Sequence, residues 1–246
     1  MNIAVAQIRP EDRDIDQNLK AHYKLVEAAA RHGAGLIAFP EMSVTGYVRE
    51  EAKELSFTEN DPRLNKLREL ACKFNIIIIA GAPVKLDSGL YIGSFIIFPD
   101  NTVSIYTKQF LHSGEEEYFS SSFSFNPVIE LEDERIGLAI CADINNPGHA
   151  WNASRAQCSI YLAGIFFSKP AMAEAHSLLS GYAEKHSMAV LMSNFCGGSW
   201  GLEAGGRSAV WSEEGKLIAE MDTAAAGMLL ARKINGKWTA EVVHCQ

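Results

Sequence analysis

The chain has 246 residues, 48% of them hydrophobic and 21% charged, with 22 basic against 30 acidic side chains and a formal net charge of -8. This is the composition of a globular chain long enough to bury a sizeable core, and it excludes disordered, collagen-like and disulfide-stapled classes. The acidic balance offers no phosphate-neutralising surface and no basic stretch for anionic lipid, so neither nucleic acid nor a membrane is expected as a partner.

The opening MNIAVAQIRPED has no basic residue ahead of its apolar run and does not read as a secretory signal. Residues 3–8 read as a short buried strand. Asp16 then reads as a helix N-cap, because Leu19, Tyr23, Val26 and Ala30 follow at helical spacing and Gly33 and Gly35 stop the run. A second strand over 36–39 completes a βαβ unit with a parallel pair. The pattern repeats: Asp61-Pro62 opens a helix carrying Leu64, Leu67, Ala71 and Phe74, followed by the β-branched run 76–79. The longest apolar stretch, about Ile76 to Val84, is far short of the roughly 20 residues a bilayer span requires.

The middle of the chain changes character. Residues 90–98 and 102–107 read as a hairpin about Pro99-Asp100-Asn101, and 128–131 and 135–140 as another about Glu132-Asp133-Glu134. Strand and helix then alternate again, with a strand at 159–162, a helix over about 171–186 and a strand at 188–193. Short strands follow near 208–211, 217–220 and 227–231. Hairpins mixed with βαβ units predict an α/β fold of two sheets packed face to face with helices outside. The absence of a Pro/Gly/Ser-rich linker or an internal repeat predicts a single domain.

Three polar residues directly follow apolar strands, where open α/β sheets place their ligands: Glu41 after LIAFP, Lys108 after VSIYT and Cys141 after RIGLAI. A thiol, a carboxylate and an amine in one pocket supply what acyl transfer needs: a nucleophile, a base for its proton and a cation for the developing oxyanion. The five cysteines are Cys72, Cys141, Cys158, Cys196 and Cys245, an odd set without CxxC or zinc-type spacing. Reduced thiols in a cytoplasmic setting are expected. The seven histidines show no HExxH spacing, so no metal is expected.

Four segments in order, LIAFPEMSVTGY, YTKQFLHSGEEEYF, GLAICADINNP and MSNFCG with the following GGRSAVWSEEGKLIAE, resemble the nitrilase or carbon-nitrogen hydrolase superfamily over nearly the whole chain. The resemblance implies a four-layer αββα sandwich with two mixed central sheets and a cofactor-free hydrolase of non-peptide carbon-nitrogen bonds working through a covalent thioester. It also implies Cys141 as nucleophile, Glu41 as general base and Lys108 as oxyanion stabiliser, with the backbone N–H of Ala142 as a second oxyanion donor. The superfamily's further glutamate precedes an aromatic by three positions, which gives Glu115 counting back from Tyr118; Glu116 is the alternative within the EEE run. Asp143 is expected to hold the nucleophile loop, Tyr47 either to line the pocket or to pack beneath a turn, and His112 to serve as a hydrogen-bond neighbour of the lysine segment. The other four cysteines are expected to be incidental, with Cys196 on the SNFCGG loop the one to watch.

This chain departs from many relatives after the nucleophile, with Ala142 where a bulky aromatic is common and INNPGHA where arginine-containing or Phe-Pro stretches occur. Those departures bear on substrate, not on chemistry. A small linear amide or N-carbamoyl compound is the expected substrate, ahead of a nitrile, with YLAGIFFSKP as an apolar pocket wall, and the resemblance implies a homodimer. Two other readings use the same pocket: a non-catalytic member that binds a ligand or presents an interaction surface, and a soluble acyltransferase that passes the thioester to an amine. A papain-like hydrolase would need a His with an orienting Asn, for which no local signature surrounds Cys141.

Overall fold

The computed structural model describes residues 1–244, so Cys245 lies outside the described residues. A first sheet contains seven strands: β1 (Asn2–Gln7), β2 (Leu36–Ala38), β3 (Ile77–Leu86), β4 (Gly89–Ile97), β5 (Val103–Thr107), and the late-coming β14 (Gly227–Ile234) and β15 (Lys237–His244), in the order β15-β14-β1-β2-β3-β4-β5. A second holds β6 (Ile129–Leu131), β7 (Glu134–Ile140), β8 (Ile160–Gly164), β9 (Ala189–Ser193), β12 (Ala209–Trp211) and β13 (Leu217–Glu220), in the order β13-β12-β9-β8-β7-β6. Strands β10 (Cys196–Ser199) and β11 (Leu202–Gly205) form a separate hairpin. In each large sheet a parallel trio, β1-β2-β3 or β7-β8-β9, is extended by antiparallel strands, so both sheets are mixed.

The layering follows from the period of two along the strands. On β8, Ile160 and Leu162 join the large core between the sheets, while Tyr161 and Ala163 join a second apolar layer. That layer packs against α4 (Pro147–Arg155) and α5 (Met172–His186) through Ala150, Ala175, Leu179 and Ala183. The outer face of the first sheet is covered by α1 (Ile15–Arg31) and α3 (Asn65–Phe74); a short α2 (Ala52–Leu55) lies between them in sequence. Strands buried on both faces explain the continuous apolar runs, such as Ile3 to Ala6, where half-solvated strands would alternate. The result is the helix-sheet-sheet-helix sandwich. No helix among the described residues is long and apolar enough to cross a membrane.

Two local expectations need correction. Helix α1 is capped by Asp14, whose carboxylate accepts from the Gln17 N–H at 3.0 Å, and Asp16 lies in the first turn. Asp14 wins because its oxygen reaches the free N–H three residues on, while Asp16 already has helical neighbours before it. Helix α4, the β10-β11 hairpin and strand β15 also lie where the sequence reading placed no element. Helix α4 is opened by Asn146-Pro147, with the Asn146 side chain accepting from the Gly148 N–H at 2.9 Å.

The sheets meet most tightly where the chain leaves β2. The Pro40-Glu41 segment crosses Gly81 of β3, and a Cβ at Gly81 would lie 2.4 Å from the Pro40 carbonyl oxygen and 2.7 Å from the Met42 nitrogen. On the other side lies Gly164, the residue of β8 paired with Ile140, where a Cβ would come within 3.0 Å of the Phe39 carbonyl. The Val44 N–H donates to the Gly81 carbonyl at 3.0 Å and fastens the segment down. Glu41 is therefore clamped between the sheets by backbone. Gly81→Ala is expected to lower unfolding free energy by about 1–3 kcal/mol through overpacking. Gly181→Ala, on α5 with nothing within 4 Å of the added methyl, should raise it by roughly 0.5–1 kcal/mol. Urea unfolding of the two variants checks both signs.

Candidate active site

Lys108 directly follows β5, Cys141 directly follows β7 and Glu41 lies three residues past β2, so three strand ends deliver the three side chains to one point between the sheets. Lys108 is fully buried. Its Nζ donates to Glu41 Oε1 at 2.7 Å and to Glu115 Oε1 at 2.8 Å. Burial works against the ammonium, but the Glu41 and Glu115 carboxylates more than offset it, and the Lys108 pKa is raised. Of three consecutive glutamates only Glu115 is buried; Glu116 and Glu117 face solvent.

The two carboxylates differ in what remains free. Glu115 Oε1 also accepts from the Tyr47 hydroxyl at 2.5 Å, and Oε2 accepts from the His112 backbone N–H at 2.7 Å. Both oxygens are engaged. Glu41 Oε2, by contrast, is buried and has no partner among the described residues. Desolvation raises the Glu41 carboxyl to about 7, against Lys108, which lowers it, while Glu115 adds a further increase. Burial also pushes the Cys141 thiol well up, helped by Glu41 and opposed by Lys108. The resting thiol is protonated and needs a base.

Cys141 occupies a left-handed conformation, with φ 45, which costs a non-glycine residue about 1–2 kcal/mol. Asp143 holds this turn. Its Oδ2 accepts from the Ile140 N–H at 2.9 Å and the Tyr106 hydroxyl at 2.6 Å, and its Oδ1 accepts from the N–H groups of Gln109 and Phe110 at 2.9 and 2.8 Å. One carboxylate thus ties the Cys141 turn to the segment that carries Lys108. Because the Tyr106 hydroxyl gives its proton to Asp143, it accepts from His149 Nε2 at 2.9 Å, which leaves His149 Nδ1 to accept from the Tyr161 hydroxyl at 2.8 Å. Burial lowers the His149 pKa despite Asp143, so the ring stays neutral near pH 7.

A cavity of about 490 Å³ opens above Cys141. Phe166 and Phe167 form one wall and Tyr47 and Trp200 another, with Tyr47 and Phe166 ring centroids 5.0 Å apart. The Cys141 Sγ donates to the Phe166 carbonyl at 3.7 Å. Asn194, fully buried, fixes the phenylalanine wall: its Oδ1 accepts from the Phe167 and Phe195 N–H groups at 3.1 and 2.9 Å, and its Nδ2 donates to the Gly206 carbonyl at 2.8 Å.

The carbon-nitrogen hydrolase family pattern matches residues 2–235. The chain belongs to the carbon-nitrogen hydrolase family. Among sequence relatives, a nitrilase from Pyrococcus abyssi is 27% identical over 58% of this chain and 56% of its own. An arylacetonitrilase from Aspergillus kawachii is 28% identical over 57% and 48%, and a glutamine-dependent NAD(+) synthetase from Thermotoga maritima is 26% identical over 60% and 26%. The chain thus spans about half or less of the length of these relatives. In fold, it is similar to the NitN amidase of Nesterenkonia sp. AN1, with a TM-score of 0.86 at 22% identity over 96% of this chain and 93% of that one.

Within this family fold, Glu41, Lys108, Glu115 and Cys141 come together, and Tyr47 both lines the cavity and bonds Glu115. Ala142 follows Cys141 in a 3-10 turn. His112 contributes its backbone N–H, its ring being exposed at the cavity rim. Cys196 is buried in β10 and does not line the cavity; Cys158 is buried and Cys72 exposed elsewhere. Sequence reading passed over Arg49, Asn145, Glu174 and Trp200 on the cavity wall. TGYVRE offered a signal for Arg49, a lone cation two residues past an aromatic that faces the site. Asp143→Asn turns an acceptor for four donors partly into a donor. It is expected to lower unfolding free energy by about 2 kcal/mol, read as a shift in urea midpoint at unchanged slope.

Proposed function

We propose that this chain hydrolyses the non-peptide carbon-nitrogen bond of a small linear amide or N-carbamoyl compound, with Cys141 as nucleophile, Glu41 as general base and acid, and Lys108 and the Ala142 N–H at the oxyanion. The observation that carries this reading is the division between the two glutamates. Glu115 accepts hydrogen bonds at both of its oxygens and holds Lys108 in place. Glu41 keeps one buried oxygen free, at a pKa of about 7, in the same cluster as a protonated thiol. A base near the working pH moves protons in both directions most effectively.

In the first half-reaction Glu41 takes the thiol proton as Sγ bonds to the carbonyl carbon, and charge gathers on the former carbonyl oxygen. Lys108 has three N–H donors, two of which hold Glu41 and Glu115, so one remains for that oxygen. The Ala142 N–H belongs to the first turn of its short helix, which has no preceding helical carbonyl to bond. Glu41 then returns the proton to the nitrogen as the carbon-nitrogen bond breaks, leaving a thioester. Water, deprotonated by the same carboxylate, breaks the carbon-sulfur bond and restores the thiol.

The fold relatives support a small amide: structures of the Nesterenkonia amidase include a complex with butyramide and one in which acrylamide has added to the active-site cysteine.

Cys141→Ala should abolish ammonia release from a panel of short amides, carbamoyl compounds and nitriles; undiminished turnover would overturn the assignment. Glu41→Gln should lower kcat by roughly 10²–10⁴, and Lys108→Met by roughly 10²–10³. Because burial raises Glu41 to about 7, its base form is lost as pH falls through that value. The kcat/KM profile of the wild type should therefore drop about tenfold per pH unit on its acid side. A flat profile from pH 8 to 5 would remove Glu41 from the role of base.

A further inference from the structure

Arg49 is a charged cavity residue that the reaction leaves unused. It lies two residues after Tyr47 and is partly buried, with its Nε inaccessible and unpartnered. Among the described residues its side chain makes no ion pair and no hydrogen bond. Its position is nevertheless set. The guanidinium stacks on the Trp200 ring, with Cζ 3.7 Å from the centroid, and stands 5.8 Å from the Tyr47 centroid. Its Nη1 lies 3.2 Å from where a Cβ on Gly114 would be, which places it against the turn leading to Glu115. Trp200 is in turn fixed by its indole N–H on Glu50, at 3.0 and 3.1 Å from the two oxygens, and by its backbone N–H on Asp12 at 2.9 Å. Stacking uses the face of a guanidinium and leaves its N–H edge for a planar anion.

Charge sets a condition on any anionic substrate. The cluster beneath the cavity holds two carboxylates and one ammonium, an excess of one negative charge whenever Glu41 is ionised. An anionic substrate would be repelled from that floor unless a cation met its far end. The acid that lines the cavity, Glu174, is exposed on α5 and is not within ion-pair distance of Arg49.

We infer that Arg49 binds a carboxylate at the end of the substrate distant from the scissile bond, so that the preferred substrates are monoamides of short dicarboxylic acids or N-carbamoyl amino acids. This inference rests on the amide-hydrolysing reading above and names its substrate class. Both alternatives present the same chemistry to Arg49, a carboxylate a few bonds from the carbonyl that Cys141 attacks.

The test is a matched panel assayed by ammonia release: succinamate against butyramide for the amide arm, and N-carbamoyl-β-alanine against propylurea for the carbamoyl arm. With the wild type, kcat/KM should favour the acid over its neutral partner by about tenfold to a hundredfold in at least one arm, the range set by a charge-assisted hydrogen-bonded pair. Arg49→Met should collapse that ratio toward one, and Arg49→Lys should keep part of it, since the charge survives and the fork does not. A wild-type ratio at or below one in both arms overturns the inference and leaves the amidase reading intact, because the neutral amides are still cleaved. An equal loss on acid and neutral substrates in Arg49→Met, with a displaced acid limb in the pH profile, would assign Arg49 to balancing the Glu41 and Glu115 charges and also overturn it. No ammonia from any member, together with a Cys141 that iodoacetamide leaves unmodified, would sink the amidase reading and this inference with it.

Discussion

A lysine ammonium held at zero exposure between two carboxylates is the constraint around which the rest of this structure is arranged. Removing an ion from water costs several kcal/mol, and the interior returns that only where partners are close and well directed. Lys108 meets the condition with partners at 2.7 and 2.8 Å that come from different parts of the chain, one past β2 and one on the turn after Lys108 itself. Neither glutamate can move far without stranding the charge. The backbone clamp of Gly81 and Gly164 on the Glu41 segment and the double anchoring of Glu115 by Tyr47 and His112 can be understood as consequences.

Cys141 is placed by a separate device that meets the first at one residue. Asp143 gathers four donors, two from the Lys108 segment, one from the strand before Cys141 and one from Tyr106. Those bonds offset the left-handed backbone at Cys141 and fix the distance between the thiol turn and the lysine. A neutral His149 behind Tyr106 completes the network without adding a charge. Strain at the thiol and the hydrogen bonds that sustain it are thus parts of one arrangement.

Much of this was legible in the sequence because its signals are local. Apolar runs ending in a single polar residue marked the three strand ends, while Glu115 within EEE was pointed to only by the superfamily resemblance, with Glu116 as the alternative. The elements passed over had weaker or differently read signals. Strand β15 is an edge with only Trp238 buried, so its alternation is faint, yet the Asn235-Gly236 turn before it, with φ 49 and 76, is a strong hairpin signal. The β10-β11 hairpin is short and glycine-rich, and carries almost no periodicity. Three of the four bonds to Asp143 and the stacking of Arg49 on Trp200 join residues more than thirty positions apart, and no pattern in composition or spacing encodes such contacts.

The same residue type serves two purposes here, and the difference lies in what surrounds each carboxylate. Three donors engage both oxygens of Glu115, which fixes its position. Glu41 gives only one oxygen to Lys108, and burial outweighs the lowering effects of Lys108 and Cys141, lifting its pKa to about 7. The net charge of the cluster therefore alternates between zero and one negative as Glu41 gains and loses its proton. A cation at the cavity rim is the natural complement of a floor that alternates in this way. On the reading proposed above, it would attract an anionic substrate when Glu41 is ionised, which is also the state in which the proposed base can act.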